Sequence, residues 1–549
     1  MASTELKAAR EMSRAAPVIS IETLDRFSEA SPAQLEALLP GFIATRRWFR
    51  SKTKTIRRAT IQDFLPISEI HSGIAVVRLE YEDTGTDIYV IAIRFGDSAK
   101  GQIAASDVLA TYRTSEGKEG PVTEALSDDQ FRAWLIRTVA RHEAVKGRNG
   151  DLAAAHTSVF TGEAADARLP SSVSRAEQSN TSVIYGDQYI LKLFRKIEPG
   201  VNPDVEVGTF LTEHGFRNTP AVLAALEYRP ANRTTPYSAG ILQEFVRNQG
   251  DAWKHTLESL GAFFNHALNS NKNPPTLSSG HPLEVATALV PGGAQSTLGT
   301  YVDSARLLGQ RTAEMHATLA DPNGGPDFVP EALNAADGEE LYREMLKQSE
   351  TTFALLKQRV AELPEPSATD ARHLIERQSA LLDRFSSLRT QEIKASRIRL
   401  HGDYHLGQVL YTGSDFMIID FEGEPARPLS ERRGKGLALR DVAGMIRSFQ
   451  YAAFAALFGQ VPGFTVQPET MSSVEQWAGF WFTSIGATYL EAYFSAADGK
   501  GFVSPDMAER RLLLDVFLLH KALYEVAYEL NNRPDWVRIP LRGILGLID

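Results

Sequence analysis

The sequence contains no cysteine, and this absence removes several kinds of site at once. Without thiols the chain has no disulfide, no thiolate nucleophile, no zinc–thiolate centre and no iron–sulfur cluster. It also lacks a run of about 18 apolar residues, so no transmembrane helix is predicted. Residues 1–20 lack the apolar core of a signal peptide, and these absences together favour a reducing, cytoplasmic setting.

Three common catalytic motifs are also missing: the G-x-x-x-x-G-K-[ST] phosphate loop, the H-E-x-x-H zinc helix and the G-x-S-x-G nucleophile turn. Positive charge is in deficit, because 58 lysines and arginines face 68 aspartates and glutamates, for a formal net charge of −10. An acidic chain lacks the basic footprint that nucleic-acid binding needs. We therefore predict neither a nucleic-acid partner nor a membrane partner.

The residues that are present suffice for several packed cores. The chain has 549 residues, of which 43% are apolar and 23% charged, as is usual for globular proteins. Length alone suggests roughly three or four domain-sized units. The predicted elements divide the chain into an N-terminal α+β cap (1–100), an intermediate region with a β-rich lobe (101–247) and a large helical lobe (248–549).

The cap is predicted from local periodicity. Residues 1–20 are expected to form a frayed or weakly helical leader, and residues 31–50 to form helical pieces around Pro40. Apolar runs and alternation then predict three strands: Ile56–Ile67, Ile74–Tyr81 and Ile88–Phe95. After the cap, Ser127–Val145 is predicted to be a helix with Ser127 as its N-cap.

The clearest hairpin signal of the chain covers residues 182–195, where two β-rich runs flank Gly186-Asp187. A helix is predicted over 203–215, and a buried strand over 239–247. From about residue 251 the pattern is mainly helical. The predicted elements there are two long helices at 337–362 and 368–388 joined by Pro364-Glu365-Pro366, a short β-like island at 397–421, a helix from Asp441, and a last long helix at 507–532.

Lys192 lies inside the apolar second strand of the hairpin. A lysine in such a strand is costly unless its ammonium has a partner. In protein kinases a strand lysine holds the nucleotide phosphates and pairs with a helix glutamate, and Glu206 on the following predicted helix is the candidate partner. The alternative is an edge-strand lysine whose ammonium reaches water.

Residues 401–408 (HGDYHLGQ) have the spacing of a kinase catalytic loop, in which an amide follows an aspartate by five positions. Asp403 is the predicted base that accepts the acceptor hydroxyl's proton, and Gln408 is a predicted Mg²⁺ ligand through its amide oxygen. Gln408 is longer than the asparagine of protein kinases. His401 and His405 are predicted to hold the loop backbone by hydrogen bonds, with a metal-binding pair as the alternative.

A second apolar strand ends in Asp420-Phe421-Glu422, which resembles the metal-binding Asp-Phe-Gly element of kinases. Asp420 is predicted to bind Mg²⁺ at the phosphates, whereas Glu422 is either a second carboxylate near the metal or an acid that is solvated or ion-paired. A short β hairpin is predicted between Asp403 and Asp420. Because the lysine strand, catalytic loop and metal aspartate follow one another in kinase order, they predict a phosphotransferase that uses ATP and Mg²⁺.

Residues 173–182 occupy the place of a kinase's phosphate-covering loop, although they contain no glycine. Three of them tolerate turns and offer hydrogen-bond donors, which makes them candidate phosphate contacts: Ser179, Asn180 and Thr181. An ordinary polar loop is the alternative. Residues 243–246 (QEFV) are the predicted hinge, where backbone groups of Glu244 and Val246 would bind the adenine.

Several long segments resemble the bacterial maltokinases. From about residue 40 to the end they match in order: RRWFRSK, EQSNTSVIYGDQYILKLFRKIEPGVNPDVEVGTFL, HGDYHLGQVLY, FMIIDFEGEP, LRDVAGMIRSFQYAA and KALYEVAYELNNRPDWVRIPLRGI. The resemblance implies a bilobal, protein-kinase-like fold of the aminoglycoside-phosphotransferase type with an extra N-terminal cap. It implies phosphorylation of maltose by ATP at the anomeric hydroxyl, which gives maltose 1-phosphate for α-glucan (glycogen) synthesis. Trehalose synthase would supply the maltose and is a candidate partner.

The resemblance also implies a set of sugar contacts on the last long helix: Lys521, Tyr524 and Tyr528. Their spacing of i, i+3 and i+7 puts them on one helix face, and tyrosine rings can stack on sugars while their hydroxyls form hydrogen bonds. Ordinary packing of that face is the alternative. Arg447 and Tyr451 are further candidates for sugar binding. Asp441 is predicted to anchor the backbone of the catalytic loop, as an aspartate does at this place in kinases.

Other functions fit the same residues. A related sugar kinase, for example a glucosamine kinase, would share the architecture, because specificity depends on a few groups in the pocket. A non-catalytic, kinase-like partner of a glucan enzyme is disfavoured because Lys192, Asp403 and Asp420 are all present. A protein kinase is disfavoured because the helical segment 251–395 is predicted to enclose a small-molecule site.

Overall fold

A computed structural model describes residues 17–549 except 25, 27–31, 97–106, 163–168, 175–178, 270–272, 278–280, 289–294 and 425–426. The chain divides into two compact units, Met1–Thr209 with Ala221–Val246 and Phe210–Pro220 with Arg247–Asp549. Among the helices in the described part of the chain, none combines the length and the apolarity needed to cross a membrane. The predicted mixed α+β class, with a cap sheet, a β-rich lobe and a large helical lobe, is confirmed.

The first unit contains two seven-stranded sheets. The strands of the cap sheet are β1 (Val18–Ile21), β2 (Ile56–Ile67), β3 (Ser72–Tyr81), β4 (Thr86–Phe95), β5 (Val108–Thr114) and β6 (Glu119–Glu124), together with the short Lys196–Ile197. Their order is β1-β5-β6-β4-β3-β2, and Lys196–Ile197 pairs with β4. The three strands predicted for the cap are confirmed as β2, β3 and β4. They could be predicted because the apolar pattern of a strand is a local property of the sequence.

At the start of the cap sheet, the prediction of a frayed or weakly helical leader over residues 1–20 is wrong for its last residues. Val18–Ile21 forms a strand that pairs in parallel with β5, at the end of the segment predicted to be a leader; residues 1–16 lie outside the described residues. Parallel pairing between distant segments has no local sequence signal, which explains the difference. The predicted cap boundary at residue 100 also lies outside the described residues, and β4 and β6 on its two sides are neighbours in one sheet.

The cap sheet is covered on both faces. Ala75 and Val77 of β3 belong to a core that includes residues of helix α1 (Pro32–Thr45). Ile74 and Val76 belong to a second core, shared with helix α2 (Asp129–Ala140) and the other sheet. Side chains of a strand alternate between its two faces, so a strand covered on both sides has a continuous apolar sequence.

Helix α2 differs from its prediction at both ends. The carboxylate of Asp128, rather than the hydroxyl of Ser127, caps the helix by accepting the backbone N–H groups of Gln130 and Phe131. The Ser127 hydroxyl donates instead to the carbonyl of Glu124. Both residue types are good N-caps, and the sequence alone does not select between neighbours.

The second sheet of this unit holds the predicted hairpin. Its strands are β7 (Val145–Lys146), β8 (Gly150–His156), β9 (Ser171–Val173), β10 (Thr181–Tyr185), β11 (Tyr189–Leu193), β13 (Val222–Pro230) and β14 (Tyr237–Glu244), where β12 is Lys196–Ile197 of the cap sheet. The order is β7-β8-β13-β14-β11-β10-β9. The hairpin of β10 and β11 turns at Gly186, whose φ of 58° suits glycine. Helix α3 (Pro203–Glu213) follows β12.

Asp63 joins the two sheets of the first unit. This buried residue of β2 accepts the backbone N–H groups of Arg148 at 2.9 Å and Asn149 at 3.1 Å, both in the turn before β8. The hydroxyl of Tyr228 on β13 donates to its other oxygen at 3.0 Å. Three donors from the second sheet and its β7–β8 turn make this carboxylate a strong link between the sheets, because each bond to a charged acceptor is worth more than a neutral one.

Replacing Asp63 with alanine is therefore expected to lower the free energy of unfolding by about 3 kcal/mol, since the N–H groups of Arg148 and Asn149 and the buried hydroxyl of Tyr228 all lose their acceptor. Tyr228→Phe removes a single hydrogen bond of the same cluster and is expected to cost about 1 kcal/mol. Urea denaturation followed by tryptophan fluorescence would measure both. Equal effects of the two substitutions would contradict the linking role of Asp63.

The second unit is mainly helical. Its helices are α4 (Ala252–Asn269), α5 (Pro282–Ala288), α6 (Gln295–Leu298), α7 (Tyr301–Leu319), α8 (Ala335–Arg359), α9 (Ser367–Glu376), α10 (Gln378–Ser386), α11 (Leu429–Arg432), α12 (Leu439–Phe454), α13 (Met471–Ala497), α14 (Met507–Asn532) and α15 (Arg538–Ile548). The β-like island is confirmed as β16 (Ser396–Ile398), β17 (Val409–Tyr411) and β18 (Phe416–Ile418), with β15 (Glu331–Ala332) and β19 (Gly436–Leu437) pairing with β16. The last long helix has the predicted bounds.

The helix predicted over 368–388 is divided into α9 and α10 at Arg377. The Arg377 guanidinium donates to the carbonyl of Ile548 at 3.1 Å and to the carboxylate of Asp549 at 3.0 Å. These acceptors lie 171 and 172 positions further along the chain. The break is therefore stabilised by a tertiary contact that helical periodicity does not report.

Candidate active site

In the first unit, Lys192 lies on β11, which is flanked by the strands β10 and β14. It is buried, and its ammonium contacts the carboxylate of Asp204 at 3.0 Å. Asp204 is itself buried in the first turn of α3, two positions before the predicted partner Glu206. The sequence reasoning missed Asp204, although an acid at the N-terminus of the helix was a usable signal because the helix dipole favours it there.

The predicted phosphate loop is described only in part, since residues 175–178 lie outside the described residues. Ser179 and Asn180 lie immediately before β10. Thr181 begins the strand, and its hydroxyl accepts a hydrogen bond from the guanidinium of Arg195 at 2.8 Å. The structure thus gives the Thr181 side chain a partner within the protein, while phosphate contact by all three residues stays a prediction.

The predicted hinge begins at the end of β14. The backbone N–H of Glu244 donates to the carbonyl of Ala221 at 3.0 Å, and the N–H of Phe245 donates to the carbonyl of Gln188 at 2.8 Å. These bonds fix the chain just before Val246. Adenine binding by the backbone of Glu244 and Val246 stays a prediction.

In the second unit, the catalytic loop is fixed through its backbone. The carboxylate of Asp441, in the first turn of α12, accepts the N–H groups of His401 at 2.8 Å and Gly402 at 3.0 Å. The predicted anchoring role of Asp441 is confirmed. Burial alone would raise the pKa of Asp441, but the hydrogen bonds from the His316 ring and from the backbone of Gly402 outweigh it and hold the pKa below its usual value.

Asp441 has a support of its own that the sequence did not reveal. His316 of α7 is fully buried and places Nε2 3.2 Å from the Asp441 carboxylate and Nδ1 2.9 Å from the hydroxyl of Tyr493 on α13. Because Asp441 accepts, Nε2 carries the proton and Nδ1 accepts from the tyrosine. The loop that carries Asp403 thus rests on a buried network that spans three helices.

The two histidines of the loop act as predicted. His401 Nε2 lies 2.9 Å from the carbonyl of Ile419, and Nδ1 of His405 accepts the N–H of Gly407 at 3.0 Å. Each ring therefore forms a hydrogen bond to a backbone group, which confirms the predicted structural role of the two histidines. At Gly402 the loop backbone lies close to the backbone of Gly423, because a Cβ at position 402 would lie 3.1 Å from Cα of Gly423.

Gln408 and Asp420 meet through the hairpin of β17 and β18. The Gln408 amide donates to the Asp420 carboxylate at 3.0 Å, and its backbone carbonyl accepts the N–H of Ile419 at 3.0 Å. Asp420 has a φ of 66°, a left-handed conformation that is uncommon outside glycine and marks functional positions. The predicted hairpin between the two aspartates is confirmed.

The oxygen atoms of Gln408, Asp420 and Glu422 are ligands of the kind that suit magnesium. Glu422 is buried, and one of its carboxylate oxygens lies within 4.8 Å of an oxygen of Asp420. Two carboxylates and the amide oxygen of Gln408 are hard oxygen donors, which Mg²⁺ prefers, and few protein ligands leave room for water and phosphate oxygens. The residues that would hold the ion are therefore Gln408, Asp420 and Glu422.

Lys521 lies beside the predicted base. Its ammonium is 3.3 Å from Oδ1 of Asp403 and 4.9 Å from the ring centre of Tyr524. Burial alone would raise the pKa of Asp403, but the adjacent ammonium of Lys521 outweighs it, so the pKa lies below its usual value. The carboxylate is thus ionised and ready to accept a proton.

Asp403 faces a small cavity of about 60 Å³ within the second unit. Beyond the predicted Asp403, Lys521 and Tyr524, its lining includes polar residues that the sequence analysis did not name: Gln348, Glu424, Arg427, Arg440 and His520. A larger cavity of about 590 Å³ adjoins it and shares Glu424, Arg427 and Arg440. Hydrogen-bonding groups around a cavity of this kind suit a ligand rich in hydroxyls.

Tyr528, Arg447 and Tyr451 do not line either described cavity. Tyr528 is exposed and stacks on Tyr524 with ring centres 6.4 Å apart. Arg447 is buried and pairs with Glu525, and the hydroxyl of Tyr451 donates to Glu529 at 3.1 Å. Arg447 and Tyr451 therefore join α12 to α14, while sugar binding by either residue stays a prediction.

Tyr451→Phe is accordingly expected to lower the free energy of unfolding by about 1 kcal/mol and to leave the KM for the acceptor unchanged. Tyr524→Phe removes the hydroxyl of a residue that lines the cavity and is expected to raise the acceptor KM about fivefold, the equivalent of one hydrogen bond. Steady-state kinetics and thermal unfolding of both variants would test the contrast. A higher acceptor KM in Tyr451→Phe would support the predicted contact of Tyr451 with the sugar.

Comparison with known proteins identifies a family model for the cap and relatives that cover 68% of the chain. Residues 42–128 match the family model described as the maltokinase N-terminal cap domain. A glucosamine kinase of Mycolicibacterium smegmatis is 25% identical over 377 residues, which cover 68% of this chain and 78% of the relative. A glucosamine kinase of Streptacidiphilus jiangxiensis is 23% identical, over 68% of this chain and 72% of the relative.

Solved structures agree on the fold. A glucosamine kinase in complex with glucosamine, ADP and inorganic phosphate superposes with a TM-score of 0.60 at 17% identity, covering 94% of this chain and 99% of that one. A second crystal form of glucosamine kinase gives a TM-score of 0.61 over the same shares. The chain thus has the fold of these glucosamine kinases, and its residues 42–128 match the maltokinase N-terminal cap domain.

Proposed function

We propose that the protein transfers the γ-phosphoryl group of ATP to the anomeric hydroxyl of maltose, giving maltose 1-phosphate and ADP. Phosphoryl transfer is supported by the contact between the catalytic loop and the strand that ends in Asp420, where the Gln408 amide lies 3.0 Å from the Asp420 carboxylate. Asp441 in turn fixes the backbone that leads into Asp403. Phosphoryl transfer requires a base and a set of hard oxygen ligands, and here the loop with the base leads directly into the hairpin that joins the ligands.

In the proposed step, the anomeric oxygen attacks the γ-phosphorus while the bond from that phosphorus to the β–γ bridging oxygen breaks. The electron pair of the broken bond leaves with ADP, and the hydroxyl proton passes to the carboxylate of Asp403. The Asp403 carboxylate suits this role because it is ionised, as its lowered pKa requires. Most of the rate enhancement would come from orientation and charge neutralisation.

The nucleotide would be held by charged and polar side chains and by backbone groups. Lys192, fixed by Asp204 at 3.0 Å, is the proposed cation for the nucleotide phosphates. Gln408, Asp420 and Glu422 would bind Mg²⁺, which when bound neutralises charge on the phosphates. Phosphate contacts by Ser179, Asn180 and Thr181 and adenine contacts at Glu244 and Val246 belong to the same proposal.

Glu422→Gln distinguishes the two roles predicted for Glu422, a carboxylate near the metal or a solvated or ion-paired acid. As its carboxylate lies within 4.8 Å of that of Asp420, we expect the Mg²⁺ concentration for half-maximal activity to rise about 10-fold, by analogy with the loss of one metal-site partner. Titration of activity against Mg²⁺ provides the measurement. A half-maximal concentration equal to that of the wild type would make Glu422 a structural acid.

Maltose is proposed as the acceptor for two reasons. The match of residues 42–128 to the maltokinase cap domain supports the family, and the cavity beside Asp403 is lined by Lys521 and Tyr524. A tyrosine and polar groups around a cavity are suited to sugar hydroxyls. The product would then serve α-glucan synthesis, with trehalose synthase as the proposed source of maltose.

Glucosamine is the second candidate acceptor. It is favoured by the two curated relatives and by the solved structure that contains glucosamine, all of them glucosamine kinases. ADP release with Mg-ATP, measured against maltose, glucose, glucosamine, trehalose and an aminoglycoside, separates the candidates. We expect the highest kcat/KM with maltose; a higher value with glucosamine would replace maltose as the acceptor while keeping the kinase mechanism.

A further inference from the structure

Lys521 contacts the base rather than only lining the sugar cavity. Its ammonium lies 3.3 Å from Oδ1 of Asp403, and both side chains are partly buried. We propose that Lys521 is a catalytic residue, which orients Asp403 and stabilises the negative charge of the transferring phosphoryl group. This inference rests on the proposed phosphotransferase function and extends the role of Lys521 beyond contact with the sugar.

Distance supports the role. An acceptor oxygen that gives its proton to Asp403 must come within about 3 Å of the carboxylate. In a reactive arrangement the phosphorus lies about 3–3.5 Å from that oxygen. A cation in contact with the same carboxylate is therefore adjacent to the oxygens of the phosphoryl group, where negative charge is present throughout the transfer.

The position of the ammonium is well defined. Helix α14 packs its buried residues Leu519, Ala522 and Leu523 into the core of the second unit, which fixes the face that carries Lys521. The ring of Tyr524, one turn further on, lies 4.9 Å from the ammonium and adds a cation–π contact. Such a fixed charge costs no reorganisation during reaction, which is the main requirement for electrostatic catalysis.

The surrounding charges keep the pair ionised. Burial alone would lower the pKa of Lys521, but Asp403, Glu424 and Glu525 outweigh it and raise the pKa. Burial and neighbouring cations lower the pKa of His520 to about 3, so His520 is neutral. The charged and titratable groups around the pair come from four elements: His401 and His405 of the loop, Glu424 and Arg427 after the metal strand, Arg440 and Asp441 of α12, and His520, Tyr524 and Glu525 of α14.

In the transfer step itself Lys521 keeps its proton. The acceptor oxygen forms the bond to phosphorus, the bond from phosphorus to the ADP oxygen breaks, and the hydroxyl proton goes to Asp403. Lys521 contributes only charge and hydrogen bonds. It therefore lowers the barrier without entering the proton balance, and its removal acts on kcat more than on acceptor binding.

Lys521→Met removes the charge at nearly constant length and is expected to lower kcat about 100-fold, with the KM for the acceptor changed less than about threefold. The substitution also removes a charge that lowers the pKa of Asp403, so the acidic limb of the pH–rate profile should move to higher pH. Lys521→Arg keeps the charge and should recover part of kcat. Lys521→Gln is a second neutral variant in case the methionine does not fold.

Tyr524→Phe is the matched control on the same helix face, because it changes the cavity wall without changing charge. We expect a higher acceptor KM and an unmoved acidic limb in this variant. If Lys521→Met or Lys521→Gln raises the acceptor KM at constant kcat and leaves the acidic limb in place, Lys521 is a sugar contact only and the inference is overturned. Wild-type protein that phosphorylates no sugar of the panel would instead overturn the proposed function.

Discussion

Asp403→Asn is expected to lower kcat about 10³-fold, because asparagine has the shape of aspartate but does not accept the hydroxyl proton at neutral pH. The loop backbone should keep its position, since Asp441 holds the N–H groups of His401 and Gly402. Binding of Mg-ATP should therefore persist. Steady-state kinetics with maltose and calorimetric titration with Mg-ATP would measure the two effects.

Asp415→Asn is the matched control for this change. Asp415 lies in the turn of the β17–β18 hairpin that follows the Asp403 loop, and its carboxylate pairs with Arg311 at 2.8 Å, outside the lining of both described cavities. We expect its kcat to equal that of the wild type. If Asp403→Asn kept wild-type turnover, Asp403 would not be the base; if both variants lost activity, damage to the hairpin would explain the result.

Asp420→Asn is expected to lower kcat by about 10³-fold and to raise the KM for Mg-ATP, because a metal ion held there would supply several kcal/mol of charge stabilisation. Asparagine tolerates the left-handed conformation at a φ of 66°, so backbone strain should not contribute to the loss. Activity measured across a range of Mg²⁺ concentrations would test this. An unchanged Mg²⁺ dependence would remove Asp420 from the metal site.

Local patterns predicted much of the fold because their physical causes are local. The three cap strands and the hairpin of β10 and β11 follow from apolar runs and from Gly186 at the turn. The last long helix, Met507–Asn532, follows from helical spacing and begins after its N-cap Asp506. Kinase-like spacing also predicted the meeting of the Asp403 loop with Asp420, because a short hairpin leaves little freedom between them.

Contacts between side chains of distant segments could not be predicted from the sequence. Asp204 and Glu206 are two positions apart on α3 and therefore point about 200° apart around the helix, so the partner of Lys192 depends on how the helix docks. His316 supports Asp441 from 125 positions away, and no local pattern connects them. Arg447 and Tyr451 have the spacing of a binding face, yet their partners on α14 give them a structural role.

The most direct test of the central claim is phosphorus NMR of the product formed from maltose and Mg-ATP by the purified protein. The account expects a phosphomonoester signal split into a doublet by the single anomeric proton, together with an equal amount of ADP. A triplet from coupling to two protons would place the phosphate on a primary hydroxyl, and the absence of a sugar phosphate signal with maltose would contradict the proposed reaction.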